Sequence, residues 1–138
     1  MIPQPRSHCP INRSLEMLGD RWSLLILRDI VLHDRRSFRD LLTGSEERIS
    51  APVLSRRLTD LVAAGFLTKD EVTRGKQGRY SLTEQGMATV PLLIELWCEE
   101  NGTPQLPSYK EMIVRIYENF YNESKKDLEN QGYRHDRL

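Results

Sequence analysis

Along most of the chain apolar residues recur three and four positions apart, the spacing of helices that bury one face, and this gives way to strand-like runs only between residues 66 and 82. Ile11, Leu15 and Leu18 line one side of a short helix that Gly19 terminates. Asp20 is placed to cap a second helix, in which Trp22, Leu25, Ile26 and Ile30, with Leu24 and Leu27, form a broad apolar surface. That helix reads as scaffold, with no chemistry of its own. A polar break at His33, Asp34, Arg35 and Arg36 precedes Ser37, the expected cap of a third helix carrying Phe38, Leu41 and Leu42.

The stretch from Ile49 to Leu67 is the best marked in the chain. The Ser50 hydroxyl can accept a hydrogen bond from an unpaired first-turn amide, and Pro52 has no amide to lose there. Leu54, Leu58, Leu61 and Val62 fall on one side, leaving Ala51, Pro52, Ser55, Arg56 and Thr59 on the other. Gly65 stops the helix because it can adopt the left-handed conformation that follows a helix end. The linker TGSEERIS is short and rich in turn formers, so the third and fourth helices meet at an angle, the outline of a helix-turn-helix. Two strand-like runs follow, Phe66 to Thr73 and Arg79 to Leu82, around a tip with Gly75, Gly78, Arg74, Lys76 and Arg79. A basic hairpin directly after such a helix is a wing, suited to the phosphate backbone or the minor groove.

Thr83 starts a further helix with Glu84 in its first turn, and its apolar positions run through Met87, Val90, Leu93, Ile94 and Trp97. Pro91 interrupts this run and must kink it or begin a new segment. After the break NGTPQLP, residues from Ser108 to about Asn130 read as a last helix with Met112, Ile113, Ile116, Tyr117 and Phe120 on one side. That stripe needs a cover, either the helix at 83 to 100 or a second subunit. The expected organisation is an extended arm over 1–10, a winged helix-turn-helix over 11–102, a packing or dimerisation helix over 103–130 and a frayed tail over 131–138. The fold class is mainly α with a small β-hairpin wing.

Composition narrows the function. A chain of 138 residues fits one domain and leaves no room for a second, catalytic one. It lacks an apolar run of membrane-spanning length and a secretory segment, so a cytoplasmic protein without membrane contact is expected. Its two cysteines, Cys9 and Cys98, form no disulfide framework, and Cys98 reads as a core residue. The net charge is zero, yet residues 35–79 hold ten basic and six acidic side chains while 80–138 hold six and ten. Positive charge concentrated around the central helix suits a compact phosphate-facing patch, with a solvated mixture of charges as the plainer alternative. The glycine-rich phosphate loop, paired histidine ligands and nucleophile with its base are all missing, and the carboxylates look like solvated faces. His8 beside Cys9 falls short of a tetrahedral site. Neither an enzyme, a metal nor a cofactor is expected.

Taken together, CPINRSLEMLGDRWSLLILRDI, RSFRDLL, ISAPVLSRRLTDLVAAGFL, YSLTEQG and VPLLIELW, in this order and spacing, resemble the HxlR-type winged-helix transcriptional regulators over roughly Cys9 to Gly102. The resemblance implies a homodimer built by terminal helices, binding a near-palindromic double-stranded operator to repress or activate nearby genes, with Pro91 similar to a proline such regulators often carry. Ser50 to Thr59 match the recognition helix, Arg74 to Arg79 the wing, and Ser37 and Arg39 the start of the helix that crosses the backbone. Ala51 and Pro52 replace the polar side chains usual at the front of that helix. They suit thymine methyls, leaving Ser55 and Arg56 for base edges and Arg57 for a phosphate.

The expected dimer residues are Ile11, Leu15, Leu93, Trp97, Ile113, Ile116, Tyr117 and Phe120. Cys9 matches a cysteine through which some relatives sense oxidants or electrophiles, and a helix N-terminus favours the reactive thiolate, although a thiol there can also simply cap or pack. A small-molecule effector is compatible with this reading. The alternative is a winged-helix module that binds protein partners with the same face and no specific DNA.

Overall fold

A computed structural model describes residues 4–70, 78–101 and 106–130. The chain forms two compact units that divide after Thr89. In the first, α1 (Pro10–Leu18), α2 (Ser23–His33), α3 (Phe38–Thr43) and α4 (Ala51–Ala63) are followed by the strands β1 (Leu67–Lys69) and β2 (Tyr80–Leu82) and by the single turn α5 (Glu84–Met87). The second contains α6 (Val90–Asn101) and α7 (Leu106–Asn130).

The core of the first unit is assembled from the helical stripes. Ile26, Leu27 and Ile30 of α2, Leu41 of α3, and Leu54, Leu58 and Leu61 of α4 are buried, with Ile49, Phe66, Leu67, Tyr80 and Met87. Trp22, Leu24 and Leu25 are only half-buried, so the deep face of α2 is narrower than its composition suggests. Val62 departs from the expected stripe. It lies 37% exposed, because the buried line passes from Leu58 to Leu61 and leaves Val62 over its edge.

Local capping sets the helix ends. The Ser37 hydroxyl accepts from the Asp40 amide at 3.0 Å, and that of Ser50 from the Val53 amide at 3.4 Å. Asp20 caps α2 from two residues ahead of Trp22, accepting the Trp22 and Ser23 amides at 2.8 and 2.9 Å and the Ser23 hydroxyl. At the end of α4, Gly65 has φ +88°, the Phe66 amide donates to the Leu61 carbonyl, and the Gly65 amide donates to that of Val62. This crossed pair satisfies carbonyls the helix would leave open and turns the chain into β1.

β1 and β2 pair antiparallel, Leu67 with Leu82, Thr68 with Ser81 and Lys69 with Tyr80. Beyond the regular strands the Asp70 amide still reaches the Arg79 carbonyl; the rest of the expected first strand, to Thr73, and Arg74, Gly75 and Lys76 lie outside the described residues. A third segment joins on the other side of β2. Ser37 bridges Arg79, and the Tyr80 amide donates to the Arg36 carbonyl at 2.7 Å. The Arg36 guanidinium adds bonds to the Tyr80 carbonyl and the Ser81 hydroxyl, so the entrance to α3 is tied to the hairpin. Thr83 closes the other end: its hydroxyl caps α5 and donates to the Gly65 carbonyl. Gly86 lets α5 approach this closely, since a Cβ there would fall 2.3 Å from the Phe66 oxygen.

In the second unit, Pro91 stands at the second position of a new helix, resolving the two readings of that proline. Val90, Leu93 and Ile94 are buried, while Leu92, Leu96 and Trp97 are about half exposed on other sides of α6. On α7, Ile116, Tyr117 and Phe120 are half-buried, and Val114 and Tyr121 are exposed. The side chains of Cys98, Met112 and Ile113 lie outside the described residues. No helix among the described residues is long and apolar enough to cross a membrane.

Candidate nucleic-acid interface

The outer face of α4 is open. Ala51, Pro52, Ser55, Arg56 and Thr59 are exposed, directly opposite the buried Leu54, Leu58 and Leu61. Thr59 spends its hydroxyl on the Ser55 carbonyl at 2.9 Å. Among the described residues neither the Ser55 hydroxyl nor the Arg56 guanidinium makes a hydrogen bond or ion pair, so both are available to a partner.

Arg57, one position further on, is differently placed. Its guanidinium lies 3.5 Å from Asp20 and 3.2 Å from Asp60, and its side chain is 24% exposed. It joins the recognition-type helix to the cap of α2, and could reach a phosphate only by leaving those carboxylates. Burial of Asp20 works against its charge, but the Ser23 hydroxyl, the Trp22 and Ser23 amides and Arg57 outweigh burial and hold the carboxyl below its ordinary range.

Ser37 is half-buried, with its oxygen occupied by the α3 cap; Arg39 is exposed and its guanidinium has no partner among the described residues. In the hairpin, Arg79 is exposed and 4.0 Å from Asp34, and the Lys69 ammonium sits 5.6 Å from the centre of the Tyr80 ring. Arg39 of α3, Ser55 and Arg56 of α4, and Arg79 just ahead of β2 are thus all exposed, although they are far apart in sequence.

Two features of this region escape a reading of the sequence. Arg48, in the turn before α4, has φ +59° and an exposed side chain with no partner among the described residues; nothing in its residue type marks that conformation. Asp29 is not on a solvated face but 4% exposed within the scaffold helix, bonded by Arg28 and lying 3.4 Å from Arg35. Arg28 also grips Glu47 in the turn, at 2.6 and 3.0 Å. That contact outweighs a smaller opposing effect of burial and holds the Glu47 carboxyl below its ordinary range, while Glu47 and Asp29 raise the Arg28 guanidinium further above its own.

Cys9 is exposed and occupies the N-cap position of α1 without a side-chain cap bond. The arm before it is fastened rather than loose, since the backbone and the guanidinium of Arg6 both donate to Glu16 at 2.9 Å. Ile11 and Leu15, on the helix that Cys9 precedes, are 71% and 57% exposed. No metal-binding cluster of His, Cys, Asp and Glu occurs among the described residues.

Two successive helices, the second with an open polar face, and a β-hairpin directly behind them define a winged helix-turn-helix, the architecture of DNA-binding transcription regulators. Residues 17–106 match the family model described as HxlR-like helix-turn-helix, and the chain belongs to that family. It is 32% identical over 103 residues to sll1512 of Synechocystis sp., named as an HTH-type transcriptional regulator, covering 68% of this chain and 73% of that one. Among solved structures it is similar to PA1607, described as a candidate transcription factor, with 29% identity, a TM-score of 0.60, and 73% of this chain and 70% of that one covered. It is also similar to the reduced form of the transcriptional regulator YodB from B. subtilis, with 26% identity, a TM-score of 0.54, and 68% and 94% covered. The family is one of transcription regulators, not enzymes.

Proposed function

We propose that the protein acts as a homodimer on a near-palindromic operator, with α4 in the major groove and the hairpin beside it. The observation that carries this reading is the contrast across α4: one face is fully buried, while the other offers an unengaged hydroxyl and an unengaged guanidinium at Ser55 and Arg56. Arg56 is the best side chain for a guanine edge, Ser55 for a second base, and Ala51 and Pro52 for thymine methyls. Ser50, near the start of α4, and Arg39, Arg79, Arg74 and Lys76 serve the backbone, and specificity leans on DNA shape as well as hydrogen bonds.

Dimer formation is supported by apolar surface left open in both units, Ile11 and Leu15 in the first and Leu92, Leu96, Trp97, Val114 and Tyr121 in the second. Leu93 has little left to give, being buried within a single chain. Ile116, Tyr117 and Phe120 are half-buried, so α7 offers Val114 and Tyr121 more fully. The exposure of Cys9 at the N-cap of α1 supports a second reading in which thiol-reactive compounds or oxidants alter binding through this residue.

Selection of bound fragments from the source genome tests the proposal. It should yield duplexes with two half-sites one helical turn apart, or a multiple of that, whose binding weakens steeply with salt. Equal retention of selected and random duplexes would favour a module that binds protein partners through the same face.

A further inference from the structure

The carboxylate of Asp29 is buried, yet one arginine links it to the late part of the turn that launches α4 and a second passes from it over the start of that turn. Arg28 directs its Nε and Nη2 at Asp29 Oδ1, at 3.0 and 2.9 Å, and its Nη1 and Nη2 at the two oxygens of Glu47. One planar guanidinium thus joins the scaffold helix to the late part of the turn. Arg35 packs against the early part from the same anchor: its amide donates to the Asp29 carbonyl at 3.1 Å, and its Nη1 lies 3.4 Å from the Asp29 carboxylate. In between, its side chain passes over Gly44 so closely that a Cβ there would stand 2.4 Å from the Arg35 Nε.

We propose that Asp29, acting through Arg28 and Arg35, is a positioning residue that sets the angle at which α4 is presented to DNA; this rests on the reading of α4 as a recognition helix. The turn between Gly44 and Ser50 is otherwise held by little. The Arg48 amide bonds to the Ser45 carbonyl, the Ile49 amide to the Ser45 hydroxyl, and Ile49 is buried, while Arg48 itself sits in the left-handed region that a non-glycine residue disfavours. The ion pair at Glu47 and the Arg35 packing over Gly44 reach back to α2, whose Ile26, Leu27 and Ile30 are locked in the core.

Stability is a poor reason for such a cluster. Well-packed apolar residues in place of a buried ion pair commonly stabilise as much or more, whereas a planar fork that meets two carboxylates at once fixes direction. Lysine at Arg28 would bring one point charge and could not reproduce the fork.

The test compares wild type, Asp29→Asn and Glu47→Gln in two measurements, both well below their melting temperatures. The first is amide hydrogen exchange without DNA. Asp29→Asn should speed exchange at Arg48 and Ile49 by about tenfold, Glu47→Gln by less, with amides of Leu27 and Ile30 unchanged. The second is the ratio of affinity for a duplex enriched by wild type from a random-sequence pool to affinity for the unselected pool. Asp29→Asn should lower that ratio about tenfold while leaving the salt dependence on the unselected pool as in wild type.

Wild-type exchange at Arg48 and Ile49 in both variants overturns the anchor. Faster exchange with an unchanged ratio overturns its role in recognition and leaves Asp29 a stability residue. Should Asp29→Asn not fold, Glu47→Gln, altered at a partly exposed position, decides alone. If wild type enriches no sequence, the reading of α4 fails; the exchange comparison still decides the anchor.

Discussion

Arg56 and Arg57 are neighbours with the same charge, and the structure predicts opposite consequences of losing them. Arg56 is exposed with no partner among the described residues, whereas Arg57 lies against Asp20 and Asp60. On the proposed reading, Arg56→Ala removes a contact made only in the DNA complex. If the guanidinium reads a guanine, the loss is about 1–3 kcal/mol of discrimination; if it neutralises a phosphate, the slope of log affinity against log salt flattens by about 0.9. A fourfold rise in salt would then cost the variant roughly 3.5-fold less affinity than wild type. Its melting temperature should stay the same, since an unpaired surface side chain contributes within about 0.5 kcal/mol.

Arg57→Ala removes two partly exposed ion pairs, worth about 0.5–1 kcal/mol together after solvent screening. That corresponds to a loss of a few degrees in melting temperature for a domain of this size. Asp20 keeps its three donors from Trp22 and Ser23, so no bare charge is left behind to enlarge the penalty. The salt slope should change little. Fluorescence anisotropy on a selected duplex across a salt series, beside thermal unfolding followed by circular dichroism, separates the two. The reasoning is refuted if Arg57→Ala flattens the salt slope as much as Arg56→Ala while melting like wild type.

Other expectations follow from the same geometry. Leu58→Ala empties a fully buried position on the inner face of α4 and should cost about 2–5 kcal/mol, read as a lower urea midpoint. Because Arg28 holds the folded Glu47 carboxyl below its ordinary value of 4.5, the pair contributes fully above that pH. As pH falls the unfolded chain takes up the proton first, and the contribution disappears through the folded pKa. Denaturation curves of wild type and Glu47→Gln should therefore keep a constant offset at neutral pH and draw together below about pH 4.5. With diamide or a quinone, operator affinity of wild type should change while that of Cys9→Ser does not; equal responses would remove Cys9 as the sensor.

Much of the exposed face of α4 was legible because it is set by local rules. A serine before an apolar period, a proline in the first turn and a glycine after the last one mark the ends of α4 in any context, since the hydrogen bonds and backbone angles involved span only a few residues. The same holds for Ser37 at α3, whereas Pro91 left two readings open until the structure showed it in the first turn of α6. Helical spacing then separated Leu54, Leu58 and Leu61 from Ser55 and Arg56 without knowledge of what either face meets.

What lay beyond the sequence were the destinations of charged side chains. Nothing near Arg57 in the chain announces Asp20, and nothing in the apolar run around Asp29 announces Glu47, because those pairs exist only once α2, the turn and α4 are packed together. The addition of the Arg36 segment to β2, 44 residues away, has the same origin. Sequence by itself marked the first four helices, their caps and which face of α4 is polar. Tertiary structure decided which arginines are free to meet DNA and which are held, because a charge pairs with whatever the packed backbone brings within reach.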